Sequence, residues 1–206
     1  MEWTWHHLPT IGVALWQHVV LSVVSVGIAL VLSLGLGIWS ARRPRLYGAI
    51  LGLTGAVFVV PSLALFALLI PLLGLGTVPA VVGLSSYCLL ILVRNTVTGL
   101  RGVAPEVLDA ADGMGYGRGR RLREIELPLA LPTIVAGVRI ATVTVIGIAT
   151  VAAYINAGGL GTIIFEGIDQ RFLEKILVGG LLTSALAIGA DLLLGWFERA
   201  LGAGRG

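Results

Sequence analysis

Long stretches of the chain carry no acidic or strongly basic side chain, and these gaps mark where it can cross a membrane. From Thr4 to Ala41 only histidines interrupt the run, which Arg42-Arg43-Pro44-Arg45 then ends. A bilayer core is crossed by about 20 apolar residues in a helix, and a centrally placed Arg, Lys or Asp costs about 2.5–3.5 kcal/mol. The densest apolar part, Val19–Ala41, is the first expected span. The next gap, Leu46 to Val93, is 48 residues long and holds two more, Gly48–Ile70 and Val78–Leu100, joined by a turn within Pro71–Pro79. After a polar interval, Arg101 to Leu131, come span four at Pro132–Tyr154, a glycine-rich loop of mixed charge, and span five at Ile176–Phe197. The pattern predicts an all-α membrane protein with five transmembrane helices. It divides into an N-terminal segment 1–18, a membrane domain 19–197 that includes the loop 101–131, and a tail 198–206.

Composition supports this class, since 57% of the residues are hydrophobic and 12% charged, whereas a soluble domain carries about 25% charged residues. The net charge of +3 is distributed by topology. Arg42, Arg43, Arg45, Arg101, Arg118, Arg120, Arg121, Arg123, Arg199 and Arg205 fall on one side of the expected spans, against Arg171 and Lys175 on the other. The positive-inside rule makes the first side cytoplasmic, so the N-terminus is expected outside and the C-terminus inside a cell membrane. The basic balance thus implies no nucleic acid. The first span lacks a basic leader and a small-residue cleavage site and reads as retained. Trp3, Trp5, Trp16, Trp39 and Trp196 all fall near span ends and read as interfacial anchors. The last five residues, Gly-Ala-Gly-Arg-Gly, read as a disordered tail.

Little in the sequence resembles enzyme chemistry. The chain has no GxxxxGK[ST] loop, and its single lysine, Lys175, lies on the expected outer side. His6, His7 and His18 crowd the N-terminal segment with only Glu2 nearby, so they read as a solvated face and no metal site is expected. Cys88 sits within an apolar run as a small buried hydrophobe. The informative interval is Glu106 to Pro128. Pro105 followed by Glu106, Asp109 and Asp112 favours a helix start, and Gly113, Gly115 and Gly117 end that helix. A second short helix over Arg118–Leu127 is expected next, with Pro128 and Pro132 returning the chain to the membrane.

Asp109-Ala110-Ala111, three residues, Gly115, nine residues, then Ile125, one residue, Leu127 and Pro128 resembles the EAA motif of permease subunits of bacterial ATP-binding-cassette (ABC) importers. Asp109 stands where that motif has glutamate. The resemblance implies a type I importer permease core, and it assigns Asp109, Ala110, Ala111, Gly115, Ile125, Leu127 and Pro128 to a coupling loop that docks on a cytoplasmic ATPase subunit. ATP and Mg would be held by that subunit, with no cofactor on this chain. A second permease chain and an extracytoplasmic solute-binding protein are further implied partners, within the lipid bilayer. Arg94 to Leu100 and Ala149 to Gly161 look like the glycine betaine, carnitine and choline permeases, although Asn156 stands where a glycine is expected. The Ala157–Gly161 element also appears in methionine-type permeases, so an amino-acid solute stays open as the alternative, with a non-transporting scaffold behind it. A quaternary ammonium solute calls for aromatic contacts, and Tyr87, mid-span, is the candidate on the path.

Three ionisable residues lie inside spans. Arg94, Arg139 and Asp191 sit six to seven residues from the cytoplasmic span ends, roughly 9–10 Å deep at 1.5 Å per residue. An ion-coupled carrier would place such groups at the bilayer centre. Buried at a shared level, they are expected to pair, with Asp191 contacting Arg94 or Arg139.

Overall fold

The computed structural model describes residues 2–203, with side chains from residue 2 to residue 200. Among these the elements are helical throughout: α1 (Glu2–His6), α2 (Leu8–Ala41), α3 (Pro44–Val59), α4 (Ser62–Leu73), α5 (Thr77–Arg101), α6 (Pro105–Gly113), α7 (Arg118–Arg121), α8 (Leu127–Ala152), α9 (Leu160–Asp169) and α10 (Leu173–Ala203). A π-helical turn, Leu122–Glu126, joins α7 to α8, and a 3-10 turn, Ala153–Ile155, ends α8. Four of the helices are long and apolar enough to cross a membrane, and α3 with α4 meets the same length and composition only as a pair, bent by 99°.

That break corrects the straight second span expected over Gly48–Ile70. Pro61 disfavours helical backbone at the residue before it, and Val60 is extended at ψ 129°. Breaking a helix in an apolar setting frees a carbonyl that must find a donor. The Tyr87 hydroxyl supplies it, donating to the Val60 carbonyl at 2.5 Å.

Helix α5 packs between α2 and α8, and α10 lies against α8 and α9. Small residues set how closely the central helices approach. A Cβ on Gly37 would lie 2.5 Å from Thr96 Cγ2, and one on Gly99 would lie 2.9 Å from the Ala130 carbonyl. Phe66, Leu84, Cys88, Leu92, Val145 and Ala149 fill the resulting core.

Several helix limits differ from those expected. Helix α2 starts at Leu8 rather than Val19, so most of the segment before residue 19 belongs to the same rod. Pro71 lies inside α4, and the turn between spans two and three tightens to Gly74–Gly76, where both glycines have positive φ. The short helix expected over Arg118–Leu127 runs straight into the fourth span. Proline lacks the N–H that bonds one turn back, but the π turn shifts the pattern by one residue, with Leu127 N donating to the Leu122 carbonyl. The chain passes Pro128 without leaving the helix. The loop after span four contains α9, and α10 continues through Gly202 to Ala203, past the expected start of the tail at residue 198. Residues 204–206, with Arg205, lie outside the described residues.

Candidate functional site

Helix α6 begins where Pro105 pre-sets the first helical φ and Glu106 meets the positive end of the helix dipole. Asp109 and Ala110 face outward, whereas Ala111 is fully buried. The helix ends in a Schellman motif: Gly115 N donates to the Asp112 carbonyl at 3.0 Å and Tyr116 N to the Ala111 carbonyl at 3.1 Å. Such a cap puts a left-handed residue four positions after the one whose carbonyl takes the outer bond. Gly115, at φ +79°, is that residue. The three-residue gap between Ala111 and Gly115 is therefore the length of one capping motif.

The remaining motif residues have a different setting. Ile125, Leu127 and Pro128 are half-buried at the junction of the π turn with α8, where Leu127 packs against the cluster of Leu100, Ala130 and Ile134. A set of charges that sequence reasoning did not single out holds the loop to the bundle. Arg121 Nη1 lies 2.5 Å from Asp112 Oδ2 on α6, and Arg121 Nε donates to Glu126 Oε1 at 2.9 Å. Glu126, only 4% exposed, also pairs with Arg42 at the end of α2. Arg120 pairs with Glu124 on the surface and covers the Tyr116 ring at 4.5 Å.

Deeper in the spans, Arg139 makes a two-pronged pair with Asp191, Nε to Oδ1 at 2.5 Å and Nη2 to Oδ2 at 2.8 Å, with Glu198 a further 3.3 Å partner. Arg94 is exposed on α5, so of the two arginines considered for Asp191 only Arg139 is brought to it. Tyr87 does not present itself to a path. It is 3% exposed, its hydroxyl is bound to Val60, and Phe58 meets its ring edge-on at 6.0 Å.

The opposite end of the bundle also departs from expectation. His18 is completely buried, not solvated. Leu160 N donates to its Nδ1 at 3.2 Å, which leaves Nε2 to carry the proton and donate to the Ile146 carbonyl at 2.9 Å. Gln17 Oε1 accepts from Gly159 N at 3.0 Å. These two side chains of α2 thus grip the Ala157–Gly161 loop, where Gly158 and Gly159 have positive φ. Asn156 has φ +62°, a conformation that asparagine tolerates next best to glycine, which accounts for its standing where a glycine is expected. His7 stacks on Trp3 at 4.6 Å, and Trp3 is half-buried with the Lys175 ammonium 5.0 Å from its ring. A polar residue in a charge-free run was the available signal for Gln17 and His18, because a buried polar group requires a partner.

Comparison with known proteins agrees with this architecture. The family described as binding-protein-dependent transport system inner membrane component matches residues 33–203. The choline transport system permease protein OpuBB of Bacillus subtilis is 40% identical over 186 residues, covering 90% of this chain and 86% of the relative. The carnitine transport permease protein OpuCD of Listeria monocytogenes is 40% identical over 187 residues, covering 90% and 84%. In fold, the chain is similar to an inward-facing structure of the MetNI methionine ABC transporter, with a TM-score of 0.82 at 21% identity over 93% of this chain and 95% of that one. With relatives this similar along most of its length and the family match covering residues 33–203, the chain belongs to the inner-membrane components of binding-protein-dependent transport systems.

Proposed function

We propose that this chain is the permease subunit of an ABC importer for a quaternary ammonium osmoprotectant such as choline, carnitine or glycine betaine. The names of relatives at 40% identity support the solute class, while the likeness to a methionine transporter at 21% identity concerns the fold. The end bearing α6 is cytoplasmic in this reading, because Arg42, Arg43, Arg45, Arg101, Arg118, Arg120, Arg121, Arg123 and Arg199 belong to it. The N-terminus is then outside and the C-terminus inside.

The observation that carries the mechanism is α6 itself, a capped helix with Asp109 and Ala110 exposed, joined by the turn at residues 114–117 to α7, which continues through the π turn into α8. A cytoplasmic ATPase subunit docks on that face, binds ATP and Mg, and closes. This chain supplies no ATP site. A second permease chain completes the path, and an extracytoplasmic binding protein delivers the solute. Moving a carrier from 1:99 to 99:1 between its two openings takes about 5.5 kcal/mol of differential binding, which closure of the ATPase pair supplies. With Tyr87 committed to Val60, selection of the solute falls chiefly to the binding protein.

The test is uptake of labelled choline by proteoliposomes that contain this chain, its ATPase and its loaded binding protein. ATP-dependent uptake is expected in the parent, and Asp109→Lys should abolish it while the chain still inserts and folds. Uptake that ignores ATP, or an Asp109→Lys variant transporting at the parental rate, refutes the reading.

A further inference from the structure

We infer that Arg121 and Glu126 are positioning residues for transport, a buried linkage that carries displacement of α6 to the ends of α2 and α8. The inference rests on the permease reading above. Four charges form an unbroken series across four elements: Asp112 on α6, Arg121 on α7, Glu126 in the π turn and Arg42 at the end of α2.

Local geometry explains why the series closes. In a regular α-helix, residues five apart point about 140° away from one another. A π turn closes its hydrogen bonds over five residues and brings such a pair onto one face. Leu122–Glu126 is that turn, and Arg121 meets Glu126 across it. An ordinary helical turn here would carry Glu126 away from Arg121.

Burial is greatest in the middle of the series. The Asp112 and Arg42 side chains at its ends are 56% and 50% exposed, whereas those of Arg121 and Glu126 are 11% and 6% exposed. An exposed ion pair is weak and yields readily. A buried carboxylate tolerates loss of its partner poorly, yet a buried ion pair often gives no more stability than apolar side chains of the same size. Stability alone therefore gives no reason for this pair. Its geometry does, because Glu126 is shared between the helix that meets α6 and the helix that crosses the bundle. A cavity of about 240 Å³, lined by Ile38, Ala41, Arg42, Leu122 and Glu126 among others, lies beside the Arg42–Glu126 end of the series.

The experiment uses the complete complex in proteoliposomes, with loaded binding protein and labelled choline, and reads choline taken up per ATP hydrolysed. Allosteric couplings usually amount to about 5- to 150-fold, so Glu126→Gln and Arg121→Gln should each lower that ratio about tenfold. Basal hydrolysis by the assembled complex should change less than about twofold. The double variant should fall no further than either single, as expected of two residues acting as one unit. Arg121→Lys should recover part of the loss. Asp112→Asn, at an exposed end where folding is not at risk, should lower the ratio about threefold. An unchanged ratio, a loss that only follows the amount of assembled complex, or a double variant that falls by the product of the singles overturns the linkage. A parent complex without ATP-dependent choline uptake overturns the permease reading and this inference with it, whereas a competent parent with unaffected variants overturns the linkage alone.

Discussion

Gly115 offers a test of the α6 cap in which the cost comes from backbone conformation alone. Its φ is +79°, and nothing lies within 4 Å of where a Cβ would sit, so alanine meets no steric clash. What remains is the penalty for an L-residue in left-handed backbone, about 1–2 kcal/mol, which lowers the closed-to-open ratio of the cap by a factor of about 5–30. Asparagine should cost less than alanine, because its short amide tolerates this conformation. Valine should cost more, being β-branched. Gly113→Ala is the control, since Gly113 also faces open space but has no positive φ. Hydrogen exchange at the Gly115 and Tyr116 amides reads the two capping bonds directly, and titration with purified ATPase subunits reads the docking face. Exchange should quicken and affinity fall in the order Gly, Asn, Ala, Val. If alanine and asparagine match glycine in both assays, or Gly113→Ala does equal harm, the cap is not what orders the loop.

Three further substitutions test the packing. Gly161→Ala would place a Cβ 2.0 Å from the Thr150 carbonyl oxygen, whereas Gly147→Ala enters open space; overpacking of about 1–3 kcal/mol should lower the thermal midpoint in detergent by about 2–12 °C for the first variant, with no loss for the second, and equal midpoints refute the close approach of α9 to α8. Tyr87→Phe removes the donor to the Val60 carbonyl, at a cost of about 1–3 kcal/mol in the same melt, while a binding-protein-dependent uptake with unchanged KM shows that Tyr87 is not a solute contact. Asp191→Asn should lower the midpoint more than Glu198→Gln, because Asp191 takes both prongs of Arg139 and Glu198 only a 3.3 Å contact; the reverse order contradicts that geometry.

What could be read from the sequence depended on whether the cause was local. The third span is expected at Val78–Leu100 and its helix is Thr77–Arg101, because Gly74 and Gly76 precede a largely apolar run there and Arg101-Gly102 follows it. The start of α2 was set eleven residues late. The stretch from Leu8 to His18 includes Gln17 and His18, whose partners are backbone groups more than a hundred residues away, and no local pattern reports those. Helix α9 has only ten residues, and its Leu160 and Ile163 need Ile11, Ala14 and Val178 to pack against. Rise per residue placed Arg94, Arg139 and Asp191 at one depth, yet rotation about the helix axis decides which of them meet, and that follows from packing. In the loop between α5 and α8, Gly113–Gly117 marked the end of α6, but the π turn was not legible, since it differs from an α turn by one residue in its hydrogen bonds.

The two ends of the bundle share one helix, and that bears on how the proposed mechanism works over distance. Helix α2 has 34 residues, about 51 Å at 1.5 Å per residue, well beyond the roughly 30 Å of a bilayer core. Ten and eleven residues into it, Gln17 and His18 hold the Ala157–Gly161 loop and the beginning of α9. At its far end, Arg42 meets Glu126 and so the charge series that reaches α6. Its one proline, Pro9, lies in the first turn, so no break interrupts the helix between these ties. A tilt of about 10° about the middle of such a rod moves the Arg42 end by about 4 Å, and Gln17 and His18, about 10 Å from the middle, by about 2 Å. The gripped loop would follow by that smaller distance, because both hydrogen bonds tie it directly to α2. The α3–α4 pair cannot serve the same purpose, because its 99° break at Pro61 separates the motions of its two halves. In the proposed mechanism, displacement of α6 by a closing ATPase thus reaches the Ala157–Gly161 loop through rigid-body movement of α2, with the ties at Arg42 and His18 conserved and no refolding in between.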